Sequence, residues 1–411
     1  MRSKFWSSIL LVFVAMLMIA STWTFSGVSV AMKVSDIVSA LLIIVIAIVR
    51  LRREDHKADY LLFFVGLWLQ FAPLAFWAEL GGSYLNDTLT GFVVMFVAML
   101  WHEEAPHPLH ATPKGWSYNP SRLSERVPIA ALSLLCWLTA RTMASYQLGY
   151  LHELIDPVFG NGTIDVITSP LSKKFPVSDA GLGAMAYTLE TIMALHGGEE
   201  RWHKKPIFVL FFCMLIIPVG LVSTILIILQ PLIVGAWCFW CLLTAIMMLF
   251  MITFAVDEMV LTYQFLKMYR KKAPSLYTLL VKGSSCLKEP LHITQEPSPI
   301  FPMRGIGFPP TLIVAALVGL VLMFYSSRLQ LSYLIASLDH ILGALVVLIS
   351  VISFAEPARN LRWLLIPIAA VVFIYSWTLT SFPLLFHLSI SIALALLAIR
   401  KGHIKESFQL Q

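Results

Sequence analysis

The chain has 411 residues, 58% of them hydrophobic and only 13% charged, with a net charge of +6. A soluble domain carries roughly 25% charged residues, and the Lys and Arg residues here lie in a few short loops, so neither a soluble enzyme nor a nucleic-acid binder fits. Apolar runs of about 20 residues, the length that crosses a hydrocarbon core, recur from end to end and are continuous where a closed barrel would alternate. The chain is predicted to be an all-α polytopic membrane protein, with lipid as its surroundings.

Twelve spanning helices are predicted, at about 5–26, 34–50, 59–79, 88–101, 127–148, 176–196, 206–229, 231–255, 309–325, 333–354, 362–380 and 382–399. Basic residues flank every second loop. They are Arg2 and Lys4; Arg50, Arg52, Arg53 and Lys57; Lys114, Arg122 and Arg126; Arg201, Lys204 and Lys205; Lys267, Arg270, Lys271 and Lys272; Arg359 and Arg362; and Arg400 and Lys401. Positive charge is retained on the cytoplasmic side, so both termini are predicted to be cytoplasmic. Lys173 and Lys174 dissent. Met1-Arg2-Ser3-Lys4 before an apolar run also has the form of a signal peptide, but the cleavage-site residues are poor and the helix belongs to a repeat.

The repeat has a period of 51 residues. Ser21-Thr22-Trp23 aligns with Ala72-Pro73-Leu74, and Ser35-Asp36 with Asn86-Asp87, each followed by a small residue, Ala40 or Gly91. Residues 1–104 thus form two two-helix units. Gly66-Leu67-Trp68-Leu69-Gln70-Phe71-Ala72-Pro73 with Asn86-Asp87 and Gly91 resembles the SPW repeat, a two-helix membrane module, although no tryptophan follows Pro73. Looser echoes, Leu338-Asp339-His340 with Gly343 and Tyr375-Ser376-Trp377, make residues 309–400 a degenerate four-helix counterpart. The resemblance implies no chemistry; helix packing through small residues explains the pattern. Residues 105–126 and 256–308 are predicted cytoplasmic linkers, the latter starting with a helical extension through Lys272, and 401–411 a cytoplasmic tail.

The centre of the chain carries Trp237-Cys238-Phe239-Trp240-Cys241 within an apolar run. Thiols three residues apart face one side of a helix and suit a dithiol that opens and closes as a disulfide. The eighth helix is predicted to begin outside at Pro231, which puts the pair in its outer third, facing an oxidising compartment. The other cysteines, Cys136, Cys213 and Cys286, are far apart in sequence. No disulfide scaffold or zinc site follows from the set, and no metal is expected.

Upstream lies Ile155-Asp156-Pro157-Val158-Phe159-Gly160-Asn161-Gly162-Thr163-Ile164-Asp165-Val166-Ile167-Thr168-Ser169-Pro170, then Phe175-Pro176-Val177-Ser178-Asp179-Ala180-Gly181-Leu182-Gly183-Ala184-Met185-Ala186-Tyr187. The Val-Ile-Thr-Ser-Pro stretch, the Pro-Val-Ser-Asp-Ala-Gly-Leu-Gly helix start with its tyrosine, and the CxxC resemble the vitamin K epoxide reductase family over residues 127–255. That resemblance implies a central four-helix bundle around a quinone such as ubiquinone or menaquinone. It implies a dithiol that passes electrons between the quinone and protein thiols, with Cys241 facing the quinone ring and Cys238 exchanging with an incoming thiol. The implied partner is an exported thiol protein or a thioredoxin-like oxidase on the outer side of a bacterial inner or plasma membrane.

Asp179 falls where the family places a polar residue that hydrogen-bonds a quinone carbonyl; it equally suits a helix cap beside Ser178. Gly183, Tyr187, Phe239 and the loop residue Ser169 complete the candidate site, with Tyr187 and the aromatics equally suited to packing. Arg141 and Glu190 are intramembrane charges that could pair; Cys136 and Cys213 read as apolar fillers. Asn161-Gly162-Thr163 matches a glycosylation acceptor. Two departures stand out. The loop lacks the family's cysteine pair, with Thr163 about where its second member falls, and Ala245 replaces the tyrosine that animal members carry. The alternatives are a non-enzymatic scaffold that kept the fold, supported by the missing loop thiols, and a transporter, which the flanking position of the repeats disfavours.

Overall fold

A computed structural model describes residues 2–25, 27–52, 57–78, 80–100, 111–288, 293–295, 304–325, 329, 331–404, 408 and 410. Arg53 and parts of the expected loops, linkers and tail, such as 101–110 and 296–303, lie outside the described residues. Long helices dominate, because in lipid an apolar segment must satisfy its own backbone N–H and C=O groups. Among the described residues nine helices are long and apolar enough to cross a membrane. The structure divides into two units, whose boundaries cut through the fifth long helix and the first turn of the eighth.

The first unit holds α1 (Arg2–Thr24), α2 (Val30–Arg52), α3 (Lys57–Ala75), α4 (Gly81–Leu100), most of α5 (Leu123–Gln147), the short α6 (Gly162–Ile167) and α7 (Asp179–Leu195). Leu11, Met18, Ile43, Leu62, Leu69 and Val94 form its N-terminal core. Some of the polar residues inside it are partnered across helices. Arg50 Nε meets Asp59 Oδ1 at 2.7 Å, and its Nη1 donates to Ser7 Oγ at 3.1 Å. The two aspartates that the 51-residue period aligns, Asp36 and Asp87, are both buried.

The second unit holds a two-stranded antiparallel ladder, β1 (Ala111–Pro113) with β2 (Ile293–Gln295), and helices α8 (Arg201–Lys204), α9 (Pro206–Leu229), α10 (Phe239–Tyr269) from Cys241 onward, α11 (Leu276–Lys282), α12 (Pro310–Tyr325), α13 (Tyr333–Ile352), α14 (Leu365–Ser376) and α15 (Ser381–Ile399); Ala236–Trp240 belong to the first unit. The ladder and α11 fall in segments predicted to be plain linkers. Arg201 grips Glu258 through Nε at 2.6 Å and Nη2 at 2.5 Å, while Ser121 donates to the same carboxylate and Tyr118 donates to Asp257 Oδ2 at 2.7 Å. In α13–α15, Asp339 accepts from Tyr375 and lies 2.8 Å from His387 Nε2.

One boundary differs from expectation in a way that matters. The eighth helix does not begin at Pro231. α9 runs into a π turn, Gln230–Val234, closed by Gly235 at φ +75°, whose N–H donates to the Gln230 carbonyl at 3.0 Å. α10 starts only at Phe239. Hydropathy misses this turn because its residues are as apolar as the helices it joins; the left-handed glycine is its one local signal.

Close helix crossings recur. A Cβ on Gly91 would stand 2.6 Å from the Gly66 carbonyl, and one on Gly343 would stand 2.6 Å from the Gly319 carbonyl. Backbone fills the space, so Gly91→Val or Gly343→Val is expected to destabilise the protein by about 1–3 kcal/mol, the usual cost of overpacking. Thermal unfolding in detergent checks this, with Gly198→Ala, where a Cβ meets nothing within 4 Å, as the neutral control.

Candidate functional site

Cys238 is the residue before the first helical residue of α10, and Cys241 lies in that helix's first turn. The two are joined in a disulfide. The pair therefore sits at a helix start, whereas the sequence reading places it inside the outer third of a helix beginning at Pro231. Free N–H groups and the positive end of the helix dipole gather there, and both favour a thiolate. Cys238 has no exposed surface, whereas Cys241 is partly exposed.

What lies against Cys238's neighbours is the loop between α5 and α6. Trp240 Nε1 donates to the Ile155 carbonyl at 2.8 Å. Trp237 stacks on Phe159 with ring centres 6.3 Å apart. Gly162 sits so near the Trp237 carbonyl that no Cβ would fit.

Asp156 ties this arrangement together. Its Oδ1 accepts from the N–H of Phe159 at 2.7 Å and of Val158 at 3.0 Å. Its Oδ2 accepts from Thr163 Oγ1 at 2.6 Å and Thr163 N–H at 3.2 Å, and from the N–H of Phe239 at 3.2 Å. One carboxylate thus closes its own turn, holds α6 and covers the first amide of α10. Partial burial opposes its ionisation, but the hydrogen bonds from Thr163, Phe159, Val158 and Phe239 outweigh that and bring its pKa down to about 2. Asp156 carries no role in the sequence reading. Its local signal was there: an aspartate before proline, in a Gly/Asn-rich segment, is the start of an Asx turn.

The other predicted residues sort by geometry. Ser178 caps α7 by accepting from Gly181 N–H at 2.9 Å. Asp179, the first residue of α7, accepts from its neighbour Ala180 N–H at 2.8 Å and from Gln147 Nε2 at 2.6 Å. Gln147, which sequence reasoning passed over, also faces the Ile167 carbonyl and Ser172 Oγ, both at 2.8 Å, and accepts from Ser178 Oγ at 2.5 Å. Ser169 is buried at the end of α6, where its hydroxyl accepts from Ser172 N–H at 3.4 Å. Tyr187 is buried, and Gly183 has room, since a Cβ there would meet only Tyr187 and Ala140 at ordinary contact distance. Phe239 packs edge-on against Trp240 at 5.1 Å.

Arg141 and Glu190 do not pair. Arg141 donates to the Leu85 carbonyl at 3.0 Å and lies 4.8 Å over the Trp137 ring, while Glu190 has no hydrogen-bond partner among the described residues. The helix α5 puts Arg141 against α4, a neighbour the sequence pattern does not announce. Cys136 and Cys213 are both buried and take no part in the Cys238–Cys241 disulfide. An apolar cavity of about 320 Å³ lined by Ala31, Val34, Val38, Leu42, Trp68 and Phe76 contains none of the candidate site residues. Among the described residues no cluster of His, Cys, Asp and Glu could hold a metal ion.

A family model described as the vitamin K epoxide reductase family matches residues 127–256. This stretch is a vitamin K epoxide reductase family segment. It takes in α5, the α6 loop, α7, α9 and α10 as far as Val256, less than a third of the chain, with both CxxC cysteines inside it. Comparison with curated proteins and with solved structures gives no match. Such a segment suggests a membrane redox enzyme of this type. Within the segment, Thr163 is fully buried and committed to Asp156.

The low pKa of Asp156 has a testable sign. Its folded value lies below the ordinary aspartate value of about 3.9, so the anchor is fully present above pH ~4 and is lost as pH falls through about 2. Wild-type protein is expected to resist pepsin within residues 155–165 at pH 4 and to match Asp156→Asn at pH 2. Peptide mass mapping at the two pH values checks this.

Proposed function

We propose that the protein is a membrane thiol oxidoreductase that passes electrons between protein thiols and a quinone through Cys238 and Cys241. The observation that carries this reading is the CxxC disulfide at the start of α10 within the family segment. A bound quinone would supply the acceptor for the two electrons and two protons released when the dithiol closes. The chain's own part is to hold the pair at a helix start, where the thiolate is favoured, and to keep water from it under aromatic cover.

By resemblance, Cys241 serves the quinone and Cys238 the thiol partner. Its partial exposure suits Cys241 to a co-substrate arriving through lipid. The complete burial of Cys238 requires the 155–163 loop to lift before another sulfur can reach it. The room at Gly183 beside Tyr187 suits a ring lying along α7, with Phe239 and Asp179 as further contacts and Ser169 supporting the loop. Ubiquinone and menaquinone both fit this chemistry. An exported thiol protein or thioredoxin-like oxidase is the fitting partner, with both termini cytoplasmic and the pair on the outer side of a bacterial inner or plasma membrane, as the basic loops suggest. Residues 127–255 are the proposed catalytic bundle, with SPW-like helices on either side.

A second reading, a non-enzymatic scaffold, draws on Thr163, which holds Asp156 where relatives carry a shuttle thiol. The two readings part on one experiment. Cys238→Ala and Cys241→Ala are each expected to abolish quinone-dependent thiol oxidation, a loss of well over 100-fold for an essential nucleophile. Differential alkylation in membranes with and without quinone should show the wild-type pair changing state. A pair that stays oxidised throughout favours the scaffold.

A further inference from the structure

The Asp156 carboxylate sits at the helix start from which a reduced Cys238 would draw its stabilisation. Phe239 N–H is the first amide of α10 and follows Cys238 directly, and Asp156 Oδ2 already accepts from it at 3.2 Å. With the loop closed, the carboxylate is held on several sides. Thr163 Oγ1 holds it at 2.6 Å, Phe159 N–H at 2.7 Å and Val158 N–H at 3.0 Å, while Gly162 is pressed against the Trp237 carbonyl. A fixed negative charge on a helix start makes that start a poorer host for a second one.

We propose that Asp156 is a positioning residue that sets the redox poise of the Cys238–Cys241 couple, holding it toward the disulfide by placing a fixed negative charge at the helix start that a reduced pair would share. This deepens the reading above and rests on it for the pair being a working redox couple. A disulfide is strongly oxidising when its reduced form is stabilised, and thiolate stabilisation is the usual means. Asp156 acts in the opposite sense. Its pKa of about 2 keeps it charged at any working pH.

The test is an equilibrium against glutathione. Two glutathione thiols give up two electrons and two protons; the Cys238–Cys241 S–S bond breaks, and the S–S bond of oxidised glutathione forms. Full-length protein in detergent is equilibrated anaerobically at pH 7 over a range of glutathione ratios. The state of the pair is then read by alkylation and peptide mass. Asp156→Asn is expected to move the equilibrium about tenfold toward the dithiol, ~30 mV for this two-electron couple, with Asp156→Glu near wild type. Asp165→Asn, which removes a charge from α6 with no bond to α10, is expected to leave it unmoved.

Thr163→Val supplies the sign control and serves if Asp156→Asn does not fold. It withdraws the hydroxyl that disperses the carboxylate's charge, so the couple should move the other way, toward the disulfide. A loop merely loosened moves both variants in the same direction, and that result overturns the proposal. So does a wild-type potential in folded Asp156→Asn, or an equal shift in Asp165→Asn. If the wild-type pair ignores quinone while these shifts persist, the oxidoreductase reading fails and the role of Asp156 stands.

Discussion

A polar or charged group in an apolar solvent must find its partner inside the protein. That requirement organises both units. Arg50 sits on Asp59 and Ser7, Arg141 on a backbone carbonyl and a tryptophan face, Asp339 between a tyrosine and a histidine, and Glu258 under two nitrogens of Arg201. Each of these contacts joins different segments of the chain. Because lipid is as apolar as leucine, burial alone gives little reason for helices to associate. Polar partners and the glycine crossings at Gly66/Gly91 and Gly319/Gly343 supply the specificity instead.

The same requirement is hardest to meet where backbone is irregular, and the CxxC lies at such a place. Between the π turn that ends α9 and the start of α10 the chain has no helical ladder. The loop before α6 supplies the missing acceptors and covers: Asp156 for Phe239, Ile155 for Trp240, Phe159 for Trp237. On the proposed reading, a thiolate would share this helix start with the Asp156 carboxylate, which would tie the stability of the turn to its reactivity.

Continuous apolar runs made the spanning helices visible in the sequence, since length and hydropathy alone decide whether a segment can live in lipid. The CxxC spacing and the helix start at Pro176–Tyr187 were visible too, because both are local patterns. The start of α10 was not. Its turn is built from Gln230 to Val234, mostly apolar residues, and is reversed by a single glycine. The pairing of Arg141 was also illegible, because any of several carbonyls or carboxylates lay within the reach of so long a side chain. Asp156 was legible only as a turn former.

The sequence by itself determined the class of protein, the family resemblance of its central segment and the presence of a CxxC pair. These follow from composition and from residues close together in the chain. Only the tertiary structure decided that Cys238 lies buried at a helix start and that a carboxylate from a loop 83 residues away covers the next amide. Hydrogen bonds across such a separation depend on how helices return the chain to one place, and no local pattern encodes that.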